Sequence, residues 1–222
     1  MSDLWYDEIA LRNGGYLTTD NYKTSGISAE NIFHDLLIKQ LKSIYFVLDA
    51  GCGHGNFTYS ISKLVSKIVG IDFSKEMIKI ACNNCKNDNL EFMVASTKNK
   101  LPFNENTFDF IFSRRGPISI IDHKRILKND GIIMGIHSAG KSKIEERLIT
   151  NEYREIKIVE YYGVYKIFDK IEEYRKYLAD FPGNKNYLLN EHENEFNSIV
   201  ESKMQNGIIK EEEIRYIWSA KK

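Results

Sequence analysis

The feature that most constrains the fold is a glycine-rich turn that directly follows a short apolar run. The run, residues 44–48, contains β-branched, aromatic and aliphatic side chains, and Asp49 follows it. Glycines then occur at every second position from Gly51 to Gly55. Glycine allows backbone conformations that other residues avoid, and it lets a ligand approach the main chain closely. The pattern predicts a buried strand, a tight turn and a helix whose N-terminus faces a ligand.

The spacing of these glycines favours one class of nucleotide ligand over another. The dinucleotide fingerprint requires G-x-G-x-x-G, and its third glycine would fall at position 56, where the chain has Asn56. The acidic side chain of Asp49 is also a poor neighbour for a pyrophosphate. Both features argue against a nicotinamide dinucleotide and indicate a cofactor with a cationic or ammonium-bearing end.

The segment VLDAGCGHGNF, residues 47–57, resembles the first motif of class I S-adenosylmethionine-dependent methyltransferases, in particular the type 11-like members. The resemblance extends over roughly residues 40–140, with the later strands in the same order. It implies an α/β fold with a Rossmann-like, doubly wound, seven-stranded mixed sheet, six strands parallel and one antiparallel, and helices on both faces. It also implies methyl transfer, with S-adenosylmethionine as cofactor and S-adenosylhomocysteine as product.

Length predicts one domain over residues 1–222, and the resemblance implies that it is a methyltransferase domain. The resemblance assigns residues 1–42 to N-terminal lid helices and residues 43–140 to the cofactor-binding core. A helical insertion, residues 169–206, precedes the last strand. Relatives build substrate caps at this place, so we expect the insertion to cap the substrate.

Local patterns predict where three further elements lie. Asn190 as N-cap and Glu193 three residues later predict a capping box at a helix start. A short helix is expected near residues 120–127, the fifth strand at 132–136 and the closing strand at 213–220.

A second acid, Asp72, ends the second predicted strand, residues 67–71. An acid at this place can accept two hydrogen bonds from ribose hydroxyl groups. Family members often have another acid after the third strand, which receives the adenine amine. This chain has Ser96 and Thr97 there, and a hydroxyl group accepts such a bond more weakly. The resemblance therefore implies cofactor contacts from these residues: Asp49, Gly51, Cys52, Gly53, Asp72, Phe73, Met77, Ser96, Thr97 and Ser113.

Candidate substrate contacts follow the fourth and fifth strands. Arg114 and Arg115 lie where relatives place the acceptor, and two guanidinium groups could hold a carboxylate or phosphate. Pairing with a nearby acid is the more common role of arginine. His137 could accept a proton from the acceptor, or it could be a structural histidine. Tyr16 of the lid is a further candidate contact, or a hydrophobic anchor. No catalytic base is assigned, because transfer from a sulfonium donor requires alignment rather than one particular base.

Composition limits the class of partner. The 31 basic and 31 acidic side chains cancel, so no overall field attracts nucleic acid or an anionic membrane. No apolar run approaches the ~20 residues of a membrane span, and the N-terminus lacks an export pattern. Three cysteines are an odd number, which argues against a disulfide framework, and Cys82 and Cys85 have no second pair for zinc. We therefore expect a cytoplasmic protein without a metal that acts on a small molecule.

Three functions are compatible with the sequence. The favoured one is a methyltransferase for a small molecule. An RNA methyltransferase would require a basic face near Lys141, Lys143 and Arg147, and no Asn/Asp-Pro-Pro-Tyr signature for adenine follows the fourth strand. The third is a non-catalytic S-adenosylmethionine-binding module, although the intact motif with Asp49 and Asp72 argues against a decayed site.

Overall fold

The computed structural model of the protein describes residues 3–15, 22–181 and 184–222. These residues form two compact units. The larger unit consists of Ala29–Tyr161 and Arg215–Lys222, and the smaller unit lies within Met1–Ser28 and Tyr162–Ile214.

Nine β-strands and seven α-helices are formed by the described residues. The strands are β1 (Lys23–Ser25), β2 (Phe46–Ala50), β3 (Lys67–Asp72), β4 (Leu90–Val94), β5 (Phe108–Arg114), β6 (Leu127–His137), β7 (Arg154–Phe168), β8 (Met204–Gln205) and β9 (Ile208–Lys221). The helices are α1 (Asp3–Asn13), α2 (Ala29–Gln40), α3 (Asn56–Ser62), α4 (Lys75–Asn84), α5 (Lys141–Thr150), α6 (Ile171–Ala179) and α7 (Glu193–Lys203). Among the helices that the structure describes, none is long and apolar enough to cross a membrane.

The larger unit is built on a sheet with the strand order β7-β9-β6-β5-β2-β3-β4. Strand β2 pairs in parallel with β3 and β5, β3 with β4, and β5 with β6, whereas β9 is antiparallel to β6. The chain therefore winds outward from β2 to one side and from β5 to the other. The two short strands β1 and β8 belong to the smaller unit, so the described residues have nine strands where seven were predicted.

Both faces of this sheet are covered by helices, which confirms the predicted doubly wound α/β fold. Successive side chains of a strand point to opposite faces, and alternate residues of β5 accordingly belong to two different apolar clusters. Phe33 and Leu37 of α2 are fully buried in one cluster. Ile144 and Leu148 of α5 are fully buried in the other. Strands covered on both faces are apolar along their whole length, which is why the sequence identified them.

One predicted boundary after β5 was wrong. The short helix expected near residues 120–127 is present as a 3-10 segment, Ile118–Ile126, with non-helical backbone angles at His123. Strand β6 begins at Leu127, five residues before the predicted start. The residues between Leu127 and Ile132 bulge from the sheet, and Asp130 there has a φ of 60°. The turn-forming residues before Ile132 lie inside β6, whereas the sequence analysis placed them before the strand.

The smaller unit has an aromatic core of its own. Phe168, Tyr174 and Phe196 are almost completely buried and lie together with Tyr177 and Tyr187. The aromatic side chains of the predicted insertion therefore pack mainly on one another.

The predicted capping box at Asn190 and Glu193 was wrong. Glu193 binds Arg175 through both carboxylate oxygens, at 2.6 and 2.8 Å. Asn190 begins a 3-10 turn, and the N-cap of α7 is His192, whose side chain makes no capping bond. An ion pair with a residue on another helix competes with the local capping bond for the Glu193 carboxylate. The closing strand also begins earlier, at Ile208, because a turn at Asn206 and Gly207 pairs β9 with β8.

Candidate functional site

The strand order locates the candidate site at the carboxyl ends of β2 and β5. The chain leaves these neighbouring strands in opposite directions, and ligands of open α/β sheets bind at such a switch point. The glycine-rich turn follows β2 directly. The backbone N–H groups of Gly51 and Cys52 both donate to the carbonyl oxygen of Ile71, at 2.8 and 3.0 Å. The turn is therefore fixed against the end of β3.

Gly53 is the residue of the turn that leaves room for a ligand. It has a φ of 53°, in the left-handed region that glycine tolerates best. A Cβ atom built at Gly53 would meet no other heavy atom within 4 Å. The space beside the backbone at Gly53 is therefore open among the described residues.

Asp49 lies behind this turn as a buried carboxyl group with one oxygen unsatisfied. Its side chain is almost inaccessible, at 2% exposure. Oδ2 accepts a hydrogen bond from Thr58 Oγ1 at 2.7 Å, and Oδ1 has no hydrogen-bond partner among the described residues. Burial raises the pKa of Asp49 to about 7, while the Thr58 bond and the charge of Arg114 act in the opposite direction. A cationic ligand group at Oδ1 would remove much of this desolvation cost.

Asp72 connects the glycine turn to the next helix. Its Oδ2 accepts a bond from the Gly53 N–H at 3.0 Å, and its Oδ1 accepts one from the Ser74 N–H at 2.9 Å. Each oxygen of a carboxylate can accept more than one hydrogen bond. Phe73 beside it is half-buried. Asp72 therefore also supports the fold, which the sequence alone did not indicate.

Three of the four predicted contacts beyond Phe73 have partners within the protein. Met77 is 1% exposed, as a core residue would be, and its N–H donates to Ser74 Oγ at 3.1 Å. Ser96 Oγ accepts a bond from the Lys98 N–H at 3.3 Å. Thr97 is buried, and its Oγ1 lies 2.6 Å from the Oγ of Ser119. These contacts tie the segment after β4 to the 3-10 segment.

Cys52 and Ser113 are small buried side chains behind the turn. Burial raises the pKa of the Cys52 thiol well above its usual value, so this group is not a thiolate nucleophile at neutral pH. The hydroxyl of Ser113 is completely buried and has no hydrogen-bond partner among the described residues. It lies 2.8 Å from the place that a Cβ atom of Gly116 would occupy.

Gly116 was not identified by the sequence as a site residue. A Cβ atom at this position would lie 2.2 Å from the carbonyl oxygen of Ala50, the last residue of β2. A Cβ atom at Gly51 would lie 2.7 Å from the Gly116 Cα atom. The segment after β5 therefore packs directly on the glycine turn, and only glycine fits at the contact. The Gly116-Pro117 sequence predicts a turn, but it does not indicate which part of the chain packs against that turn.

Arg114 and Arg115 both bind one carboxylate, that of Glu30 on α2. Arg114 Nε donates to Glu30 Oε2 at 2.8 Å, and Arg115 Nε lies 3.2 Å from Glu30 Oε1. Burial acts to raise the pKa of Glu30, but the charges of Arg115, Arg114 and Arg215 bring it below its usual value. Glu30 was missed because nothing in its local sequence distinguishes it from a surface acid in a first helical turn.

His54 is a further residue that the motif did not reveal. It lies in the glycine turn and is half-buried. Burial lowers the pKa of His54, and the charges of Arg114 and Arg115 lower it further. The positive field of the two arginines therefore reaches the turn that the sequence assigned to the cofactor.

Both ring nitrogens of His137 are occupied. Trp218 Nε1 donates to His137 Nδ1 at 3.0 Å, so the proton of the neutral ring is on Nε2, which lies 2.8 Å from the Gly116 carbonyl oxygen. Burial is the main cause that lowers the pKa of His137 to about 4. The ring is thus neutral and fully bonded, which is the geometry of a structural histidine. Tyr16, the remaining candidate, lies outside the described residues.

We expect His137 to reduce stability under mildly acidic conditions. Its folded pKa of about 4 lies below the ordinary value of 6.5, so the unfolded chain binds a proton first as the pH falls. The stability contribution is complete above pH ~6.5 and is lost as the pH falls towards ~4, by on the order of 3 kcal/mol. The contribution of Asp49 changes in the opposite direction over the same range, so the test compares two proteins. Urea titrations at pH 7.5 and 5 should show that acidification lowers the stability of the native protein relative to the variant His137→Gln, which keeps a donor and an acceptor. An equal change in both proteins would contradict this assignment.

The sequence profile of a family described as methyltransferase domain matches residues 47–129. The match begins in β2 and includes the glycine turn, both acids and the two arginines at the end of β5.

Individual proteins show the same similarity. An uncharacterized protein of Methanocaldococcus jannaschii, MJ1252, is 35% identical over 107 residues, which are 45% of this chain and 39% of that protein. A demethylmenaquinone methyltransferase of Oceanobacillus iheyensis is 28% identical over 160 residues, 62% of this chain and 63% of that enzyme. The chain therefore spans less than two thirds of the length of these curated relatives. A crystal structure of a functionally unknown protein from Deinococcus radiodurans R1 has a TM-score of 0.75 over 97% of both chains, at 24% identity, which is a likeness of fold.

Proposed function

We propose that this chain, which belongs to the class I S-adenosylmethionine-dependent methyltransferase superfamily, transfers a methyl group from S-adenosylmethionine to a small-molecule acceptor. The observation that carries the proposal is the buried Asp49 carboxyl group behind the glycine turn. Its Oδ1 has no hydrogen-bond partner among the described residues, and it lies at the sheet edge where ligands of this fold bind.

The residues of the turn fit the two ends of this cofactor. Asp49 would hold the ammonium group of the methionyl end, and the Asp72 carboxylate would hold the ribose hydroxyl groups. The space beside Gly53 allows the cofactor to contact the main chain. When bound, S-adenosylmethionine supplies a methyl group whose bond to sulfur breaks as the bond to the acceptor forms, with the electron pair left on sulfur.

The contribution of the protein is alignment rather than acid–base chemistry at the residues named above. His137 has both nitrogens engaged, and the buried Cys52 thiol stays protonated. Positioning two reactants at van der Waals distance can by itself contribute several orders of magnitude in rate. The protein must therefore hold the acceptor firmly, and the charged groups at the end of β5 are candidates for this role.

A small acceptor is favoured over RNA by the charges on α5. Lys141 lies 3.4 Å from Glu160, and Arg147 forms an ion pair with Asp122. Two of the three basic residues that an RNA surface would use are therefore already paired with acids, and a polyanion would have to displace them. The name of the Oceanobacillus relative, demethylmenaquinone methyltransferase, also supports a small acceptor.

The cofactor assignment is tested by calorimetry with the variant Asp72→Ala. We expect S-adenosylmethionine to bind, and the variant to bind about 10- to 100-fold more weakly, because it loses charge-assisted hydrogen bonds worth ~1.5–3 kcal/mol. Asp88→Ala, which removes an exposed acid of the same unit, should bind normally. Tight binding of a nicotinamide dinucleotide, or equal binding by both variants, would contradict the assignment.

The acceptor class is tested with labelled S-adenosylmethionine and fractionated cell extract. Label in small molecules, absent with the Asp72→Ala variant, is the expected result. Label that enters RNA, with a yield that falls steeply as salt increases, would contradict a small acceptor.

A further inference from the structure

Two hydroxyl groups meet beside the glycine turn, on segments that follow different strands. Thr97 lies three residues after β4, and Ser119 lies in the 3-10 segment after β5. Their Oγ atoms are 2.6 Å apart, which is the distance of a hydrogen bond between two hydroxyl groups. The ring nitrogen Nε2 of His123 lies 2.9 Å from the Thr97 carbonyl oxygen, so the backbone at Thr97 is held as well. The hydroxyl pair therefore has a defined position in the fold.

The direction of this hydrogen bond follows from the burial of the two residues. Thr97 is 7% exposed, whereas Ser119 is half-buried. Within the described part of the chain, neither hydroxyl group has another hydrogen-bond partner. A buried donor without an acceptor is costly, so Thr97 donates its proton to Ser119. The Ser119 hydroxyl consequently keeps its own proton and one acceptor position for water or a ligand.

The hydroxyl pair borders the turn that the proposed function assigns to the cofactor. The backbone N–H of Ala95 donates to the Asp72 carbonyl oxygen at 2.9 Å, which joins the segment after β4 to the end of β3. A Cβ atom at Gly51 would lie 2.8 Å from the Cδ atom of Pro117. The segment that carries Ser119 therefore packs on the glycine turn itself.

The connectivity of the cofactor gives the order of its parts along the sheet. S-adenosylmethionine consists of a methionyl end, a ribose and a purine base, joined in that order. The proposed function assigns the methionyl ammonium group to Asp49, at the end of β2, and the ribose to Asp72, at the end of β3. Strand β4 is the next strand of the sheet, so the base would extend towards the segment that follows β4. The purine edge farthest from the ribose would then face the hydroxyl pair.

We infer that the Ser119 hydroxyl group, positioned by Thr97, binds this far edge of the base and accepts a 6-oxopurine as well as a 6-aminopurine. The inference rests on the proposed function. The far edge of adenine offers an amino donor at position 6 and an acceptor at N1, and hypoxanthine offers the reverse. A hydroxyl group with a free proton and a free acceptor position can pair with either edge, whereas a carboxylate only accepts. Thr97 is a positioning residue in this arrangement, since it acts through Ser119.

The first test compares S-adenosylhomocysteine with S-inosylhomocysteine, in which an oxo group replaces the 6-amino group of the base. In calorimetry, the native protein should bind the two derivatives with affinities within about tenfold of each other. Ser119→Asp introduces an acceptor that repels a carbonyl oxygen, and it should shift the ratio at least about tenfold further towards the adenine derivative. The matched control is Ser66→Asp, which adds the same charge at an exposed residue before β3, and it should leave the ratio unchanged.

Variants of Thr97 test the positioning role. Thr97→Val removes the hydroxyl group with little change in volume, and it should weaken binding of both derivatives about threefold to tenfold because Ser119 is no longer held. Thr97→Ser keeps the hydroxyl group and should bind both derivatives as the native protein does. Equal binding by Thr97→Val and Thr97→Ser would contradict the positioning role.

The ratio of the two affinities decides the inference. A native preference of more than about tenfold for either derivative, or a ratio in Ser119→Asp shifted by less than about tenfold, would overturn it. If thermal melting shows that Ser119→Asp does not fold, Ser119→Ala takes its place and should weaken both derivatives about threefold to tenfold. Unchanged binding of both derivatives by Ser119→Ala would then overturn the inference. Failure of the native protein to bind either derivative would instead contradict the proposed function.

Discussion

Replacing Asp49 with Asn should make the ligand-free protein more stable at pH 8 and abolish detectable binding of S-adenosylmethionine. The buried carboxyl group has a pKa of about 7 against a usual value of 3.8. Its ionised form is therefore disfavoured in the folded protein. Asn keeps an oxygen that can accept the Thr58 hydrogen bond, but it has no charge to desolvate.

The sign and size of the stability effect follow from proton linkage. The folded pKa is above the unfolded one, so the folded protein holds a proton between about pH 4 and 7 that the unfolded chain has lost. The contribution of Asp49 to stability consequently falls as the pH rises through this window. Three pKa units correspond to on the order of 4 kcal/mol at full effect, and about 2–4 kcal/mol is expected above pH 7. Guanidinium titrations of native protein and Asp49→Asn at pH 5 and 8 measure it.

The binding effect has the opposite direction, because the cofactor needs the ionised form. Loss of a buried carboxylate opposite an ammonium group leaves that charge unpaired, which typically costs 3 kcal/mol or more, roughly a hundredfold in affinity. The native protein should bind more tightly at pH 8 than at pH 6 and release a proton on binding, which calorimetry in two buffers detects. A control, Asp88→Asn, should change neither property. Destabilisation by Asp49→Asn at pH 8 would contradict the raised pKa.

The part of the site formed by local sequence could be predicted. The glycine spacing after β2 and the acids at the ends of β2 and β3 mark the candidate cofactor turn within one strand-helix-strand unit. Each of these features depends on residues that lie close together in the chain. The core strands were also identified, because strands covered on both faces are apolar along their whole length, and the resemblance implied their arrangement in a mixed sheet.

Features that depend on distant pairs could not be predicted. Arg114 and Glu30 are 84 positions apart, and Trp218 and His137 are 81 apart. The sequence therefore left open whether an arginine was paired and whether a histidine was titratable. The capping box at Glu193 failed for the same reason, since Arg175 competes for its carboxylate. A local signal fails when a tertiary partner offers a stronger interaction.

At Gly116 a tertiary contact leaves no room for a side chain. Its Cα atom packs against the glycine turn, and its carbonyl oxygen lies 2.8 Å from His137 Nε2. The added Cβ of Gly116→Ala would lie 2.2 Å from the Ala50 carbonyl oxygen, a backbone atom in the sheet, and 2.8 Å from Ser113 Oγ. The nearest obstacle is therefore the main-chain carbonyl group of Ala50, which cannot move unless the end of β2 also moves.

We therefore expect Gly116→Ala to destabilise the protein by about 3 kcal/mol or more, at or beyond the upper end of overpacking effects. It should also weaken S-adenosylmethionine binding, because displacement of this segment disturbs the contact with Gly51. Gly207→Ala is the control: that glycine has a φ of 76° but open space around its Cβ position, so only a backbone cost of about 1 kcal/mol is expected. Adding Ser113→Gly to Gly116→Ala should restore only a small part of the loss, since the nearer obstacle is the Ala50 carbonyl. Full restoration in the double variant, or a loss no larger than that of Gly207→Ala, would show that the segment after β5 is not held against the cofactor turn in this way.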